Sequence, residues 1–166
     1  IKRTGEHPTI CFYRSPIGDQ ISKISTVTFS YNYSWKIYKA MQEWQKKKPF
    51  ETVDQWRTRV TNQARERKLQ QFVAQFKEEY IKERAAVVNP IFSVSLYDDD
   101  YNVYSLESSQ FGVAYVSVPS SEKDAFKEKF SSAKVTPQYC VKDDNLAIAS
   151  VTVQIGQKTY TTPQTV

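Results

Sequence analysis

From Thr52 to Ala85 the chain runs thirty-four residues without a glycine or proline, and its apolar side chains recur at three- and four-residue spacing. Val53, Trp56, Val60, Ala64, Leu69, Phe72, Val73, Phe76, Tyr80 and Ile81 fall near one side, while Arg57, Arg65, Lys68, Glu78 and Lys82 lie mostly on the other. That periodicity predicts one amphipathic helix, roughly three times the ordinary length. A stripe of that extent needs a partner surface. Nearly everything else reads as short strands, so the helix is expected to lie across a sheet.

The chain has 166 residues, 40% hydrophobic and 25% charged, which suits one domain with its own core. Its longest apolar runs are only a few residues, so no transmembrane segment is expected. Four glycines against eleven tyrosines and nine phenylalanines argue for regular structure with aromatic packing and against low complexity. The first residue is Ile1 rather than Met, as a removed leader or a trimmed chain would leave it.

The expected order is N-terminal strands and loops over 1–33, a helical segment over 34–88, and antiparallel strands with one inserted helix over 91–162. Gly5, Pro8, Pro16 and Gly18 punctuate the start. Val27, Phe29, Tyr31, Tyr33 and Trp35 then alternate with Thr26, Thr28, Ser30, Asn32 and Ser34, predicting a half-buried strand. Ile37, Tyr38, Met41 and Trp44 fit a helix of about three turns ending at Lys46-Lys47-Lys48-Pro49, where cations suit the helix terminus and proline stops it. Thr52-Val53-Asp54-Gln55 matches a capping box, with Phe50 placed to pack back on the first turn.

Further on, Phe92–Leu96 and Val103–Leu106 form a hairpin about Asp98–Asn102, and Phe111–Val118 reads as a central strand. Ala125, Phe126, Phe130 and Ala133 face inward from a short helix. Val135–Val141 and Leu146–Ile155 make a second hairpin about Asp143-Asp144-Asn145, its second strand leaving the core after Ala149. Gly156-Gln157 suits a type II′ turn. The expected fold is therefore α+β: a mainly antiparallel sheet of six to eight strands covered by one long helix, with two shorter helices.

The segment Glu43–Thr52, with Trp56 and Arg59-Val60, resembles a W-x-K-x-x-x-F-E-T…Y/W-x-x-R-V pattern of uncharacterised bacterial domains. Tyr97–Asp100, Phe111-Gly112, Val116–Pro119, Phe126-Lys127, Pro137, Tyr139, Leu146–Ala149 and Gly156–Tyr160 are similar to the same domains, so the resemblance covers about Trp44 to Tyr160. Those domains occur in cell-envelope or secreted proteins, some beside caspase-like or repeat modules. The resemblance implies that location and carries no catalytic residue or cofactor with it.

Few residues suggest chemistry. Cys11 and Cys140 sit in apolar strand-like runs, as buried free thiols or as a bridge between neighbouring strands. The only histidine, His7, lies four residues from Cys11, and a thiol–imidazole nucleophile there would require fixed geometry and a lowered thiol pKa. Asp98, Asp100 and Asn102 open with calcium-loop spacing, yet Val103 stands where such a loop needs Gly and Ser109 where it needs Glu, so a turn is the reading. No metal or cofactor is expected.

Charge is the stronger signal. The net charge is +5, and Lys46, Lys47, Lys48, Arg57, Arg65 and Lys68 lie near Trp44 and Trp56, an interleaving that anion-binding grooves use, although solvated helix faces with salt-bridge partners give the same pattern. Tyr31, Tyr33 and Trp35 would be core under a helix, or a platform for sugar rings or a peptide if exposed. The expected function is a non-catalytic interaction or structural module of an envelope or secreted protein with a protein partner. The alternative is a binding module for an anionic polymer, single-stranded nucleic acid or acidic glycan, through the basic helix faces; an unrecognised hydrolase would need serines or carboxylates gathered from distant strands.

Overall fold

The computed structural model describes residues 26–164, and the chain divides into two compact units. One reaches Arg84 and takes in the turn Asp143–Asn145; the other comprises Ala85–Lys142 and the residues from Leu146 onward. The first is helical, with α1 (Phe29–Gln45), α2 (Val53–Arg59) and most of α3 (Asn62–Ala85).

The stretch from Val27 to Trp35, expected as a strand, instead enters α1. Phe29 and Tyr33 share a parity but are also four residues apart, so their rings satisfy a helical stripe as well as an alternation. Thr28 decides between the two, because its hydroxyl accepts a hydrogen bond from Tyr31 N at 3.2 Å and so caps the helix. Asp144 reinforces that end: its Oδ1 accepts from Ser30 N at 3.0 Å and Ser30 Oγ at 2.8 Å, and its carbonyl accepts from Phe29 N at 2.8 Å. Phe29 and Tyr33 then pack against Phe76 and Tyr80 of α3, with ring centroids 5.5–6.1 Å apart across the four rings.

The uninterrupted helix expected from Thr52 is two helices. The capping box is present, Thr52 Oγ1 accepting from Gln55 N and Gln55 Oε1 from Thr52 N. Val60 then leaves helical geometry at φ −105°, ψ 78°, and Thr61 caps a new start by accepting from Ala64 N at 3.1 Å. The cause lies in two side chains on α2. Arg59 donates to Trp44 O at 2.6 Å, to Lys46 O at 2.7 Å and to both oxygens of Glu51, while Trp56 Nε1 donates to Gln45 O at 2.8 Å. These bonds satisfy the open carbonyls at the end of α1 and fix the direction of α2. Beyond the break, α3 packs its Phe76 and Tyr80 on the aromatic row of α1. Phe50 has no part in setting the entry angle, since it is 88% exposed.

The second unit holds two three-stranded sheets in place of the single larger one expected, with β1 (Phe92–Asp98), β2 (Val103–Ser108) and β3 (Gly112–Ser117) in one and β4 (Lys134–Lys142), β5 (Asn145–Ile155) and β6 (Lys158–Thr161) in the other. The paired strands run antiparallel, Leu106 facing Val94 and Ala114, Val153 facing Tyr160. A short helix α4 (Lys123–Lys129) sits between single 3-10 turns. Leu106, Val116, Val118, Phe126, Val151 and Val153 are fully buried together, each contributing roughly 1.5–3 kcal/mol of hydrophobic burial.

Phe126 is the hub of that core. Its ring stacks on Tyr104 at 5.1 Å and meets Tyr160 edge-on at 5.0 Å. Within this unit α4 supplies the helical side chain of the core, through Phe126. Two strand expectations are also corrected. The centre of the first sheet is β2 and β3 is an edge, with Val113 and Tyr115 exposed, because only alternate residues of β3 meet the core. In β5 the deepest residues are Val151 and Val153, so the strand enters the core late instead of leaving it. Ala125 is exposed, whereas Phe130 and Ala133 pack on the core as expected. Gly156 takes φ +60°, as a two-residue hairpin turn requires. Among the described residues no helix is long and apolar enough to cross a membrane.

Candidate interaction surface

The helical unit concentrates positive charge. Residues 26–84 carry thirteen Lys and Arg against seven Asp and Glu, the turn Asp143–Asn145 of the same unit adds two acids, and the stretch 26–50 has five lysines against Glu43 alone. Lys46 pairs with Glu43 at 3.0 Å, both side chains being well exposed, a geometry that contributes little in water. Lys47 Nζ donates to Lys48 O at 3.3 Å, and Arg65 Nε reaches back to Gln45 Oε1 at 2.8 Å. The end of α1 therefore gathers Lys46, Lys47, Lys48 and Arg65. Lys68 follows one turn along α3, its ammonium 5.1 Å from the Phe72 ring centre. Arg57 is exposed on α2, and no bond ties it to that group.

Arg59, adjacent in sequence to these cations, is withdrawn from the surface charge by its bonds to Glu51 and the α1 carbonyls. The Glu51 carboxyl is held down at about 2, first by the hydrogen bond from Arg59 and then by the backbone N–H of Lys48. Glu51, Thr52, Trp56 and Arg59 of the motif noted above thus form a helix-joining knot.

Aromatic side chains complete the surface. The helix buries Tyr33 to 1% exposure while leaving Tyr31 at 41%, Trp35 at 59% and Tyr38 at 44%. Trp35 and Tyr38 stack on each other at 5.3 Å, Lys39 Nζ lies 5.8 Å over the Trp35 ring, and Gln42 Nε2 donates to Tyr38 Oη at 2.8 Å. Alongside runs a groove of about 390 Å³ between α1 and α3, lined largely by Phe29, Ile37, Tyr38, Met41, Leu69 and Val73. Tyr33 donates its hydroxyl proton to Glu83, and burial, with that carboxylate second, pushes the phenol well above its usual range. It serves as an anchor under the surface.

Elsewhere the polar groups are spent on structure. Asp98 Oδ1 accepts from Asp100 N at 2.9 Å and Tyr101 N at 3.3 Å, closing the hairpin turn, and Asn102 sits at φ 54°. Among the described residues no group of three His, Cys, Asp or Glu converges to hold a metal. Glu122 accepts from Tyr160 Oη at 2.7 Å and Lys158 Nζ at 3.1 Å; Tyr160 is pushed up to about 12 by burial and by that carboxylate. Cys140 is a half-buried free thiol, and Cys11 and His7 lie outside the described residues. Comparison with protein-family models, curated proteins and solved structures finds no match to this chain.

Proposed function

We propose that the chain is a non-catalytic interaction module of a bacterial cell-envelope or secreted protein, with its helical unit as the contact surface. The observation that carries the reading is the division of labour on α1: Phe29 and Tyr33 hold the helix in place, and Tyr31, Trp35 and Tyr38 are presented to solvent. Exposed Trp and Tyr are the side chains that contact surfaces favour, because they offer a large apolar body at small entropic cost. The envelope location rests on the resemblance of Trp44–Tyr160 to domains of such proteins.

Fractionation of the source cells tests this directly. The chain is expected with the envelope or the medium, and the double variant Trp35→Ala/Tyr38→Ala, with its far-ultraviolet circular dichroism unchanged, should lose its envelope association or its retention by secreted material. Recovery of the wild type in the cell interior, or full retention of the folded double variant, would contradict the proposal.

A second reading is favoured by the charge excess of residues 26–84: Lys46, Lys47, Lys48, Arg57, Arg65 and Lys68 as a site for an anionic polymer, single-stranded nucleic acid or acidic glycan. Titration with poly(dT) and with heparin at two salt concentrations tests it, since affinity driven by phosphate or sulfate falls steeply as salt rises. Salt-independent affinity or no affinity removes it.

A further inference from the structure

We propose that α1 docks this protein onto the surface of an anionic lipid bilayer, lying along the interface without crossing it. The inference rests on the reading of the helical unit as a contact surface and names what that surface meets. Two properties coincide on α1. Tyr31, Trp35 and Tyr38 are separated by four and three residues, so they share one side of the helix, and all three are exposed. Each joins an apolar ring to a polar tip, the combination that settles at the boundary between headgroups and acyl chains.

The second property is charge. From Thr26 to Phe50 there are five lysines and one acid, Glu43, whose carboxylate is taken by Lys46; the acids that meet α1 from elsewhere in the unit, Asp144 and Glu83, are bonded to Ser30 and Tyr33. Lys39 lies beside that stripe, its Nζ 5.8 Å over the Trp35 ring, whereas Lys36 stands 4.6 Å over the buried ring of Tyr33, away from the stripe; neither is ion-paired to a carboxylate among the described residues. A helix that pairs lysines with a Trp/Tyr stripe matches an interface whose outer layer is anionic and whose inner layer is apolar. A single-stranded nucleic acid fits the same stripe less well. Bases stack on bare ring faces, whereas the Trp35 ring is already stacked by Tyr38 and overlain by Lys39.

Co-sedimentation of the full chain with vesicles tests the docking, using phosphatidylcholine alone and phosphatidylcholine mixed with phosphatidylglycerol, each at low and physiological salt. Partition onto the phosphatidylglycerol vesicles is expected, weakening with salt, with little onto phosphatidylcholine and with a blue shift of tryptophan emission. Lys39→Gln should weaken partition about fivefold, and Lys36→Gln, away from the stripe, much less. Trp35→Ala, an exposed substitution whose fold is checked by circular dichroism, should weaken partition and remove the shift. Equal partition onto both vesicles overturns the proposal, as does partition indifferent to Lys39→Gln and Trp35→Ala. No partition onto either vesicle also overturns lipid docking, and the contact-surface reading stands beside that result where poly(dT) is bound or association in cells is intact.

Discussion

Glu51 carries more of the architecture than its place in a loop suggests, because one carboxylate receives Arg59 twice and the backbone N–H of Lys48 once. Its folded pKa of about 2 lies below the ordinary 4.5, so the pairing stabilises the fold above roughly pH 4.5 and is lost as pH falls from there toward 2. The melting temperature of the wild type should therefore exceed that of Glu51→Gln at neutral pH, and the gap should close across that acid window. Parallel melting profiles from pH 7 to pH 2 would contradict the role. Thr52→Ala removes the cap of α2 and should cost about 1 kcal/mol in denaturant unfolding; an unchanged midpoint would show that the box contributes nothing. The Thr52 cap was legible in the sequence because capping is local. The Arg59 knot was not, since its partners at 44, 46 and 51 are reached only through a turn that periodicity does not describe.

Among the elements, the hairpins were legible because turn chemistry at Asp98–Asn102, Asp143–Asn145 and Gly156-Gln157 is written in adjacent residues. The strand expected over Val27–Trp35 failed for a definite reason: Phe29, Tyr33 and Ile37 satisfy two periods, and packing against Phe76 and Tyr80 selected the longer one. The break at Val60–Thr61 was hidden for the opposite reason, since no glycine or proline marks it. Thr61→Ala should fray the first turn of α3, seen as faster amide exchange at Ala64 and Arg65 with the rest of α3 unchanged; uniform exchange across the helix would contradict a separate start there. In the other unit, Phe126→Ala removes the ring at the hub of the core and should cost about 3–5 kcal/mol. A loss under 1 kcal/mol would mean that another side chain holds the two sheets together.

Among the described residues, positive charge and exposed aromatic rings are unevenly distributed, and the helical unit takes most of both. Composition made the net charge of +5 plain, but only the helical geometry of α1 separates rings that build the core from rings that face water. That separation is what turns a run of aromatics into a contact surface, and tyrosine nitration reads it directly. On brief exposure of the native protein to tetranitromethane, followed by peptide mapping, Tyr31 and Tyr38 should be nitrated while Tyr33 and Tyr80 are spared. Nitration of Tyr33 as fast as Tyr31 would place both rings on one open face, as a strand would, and the account of α1 as the presenting helix would fail.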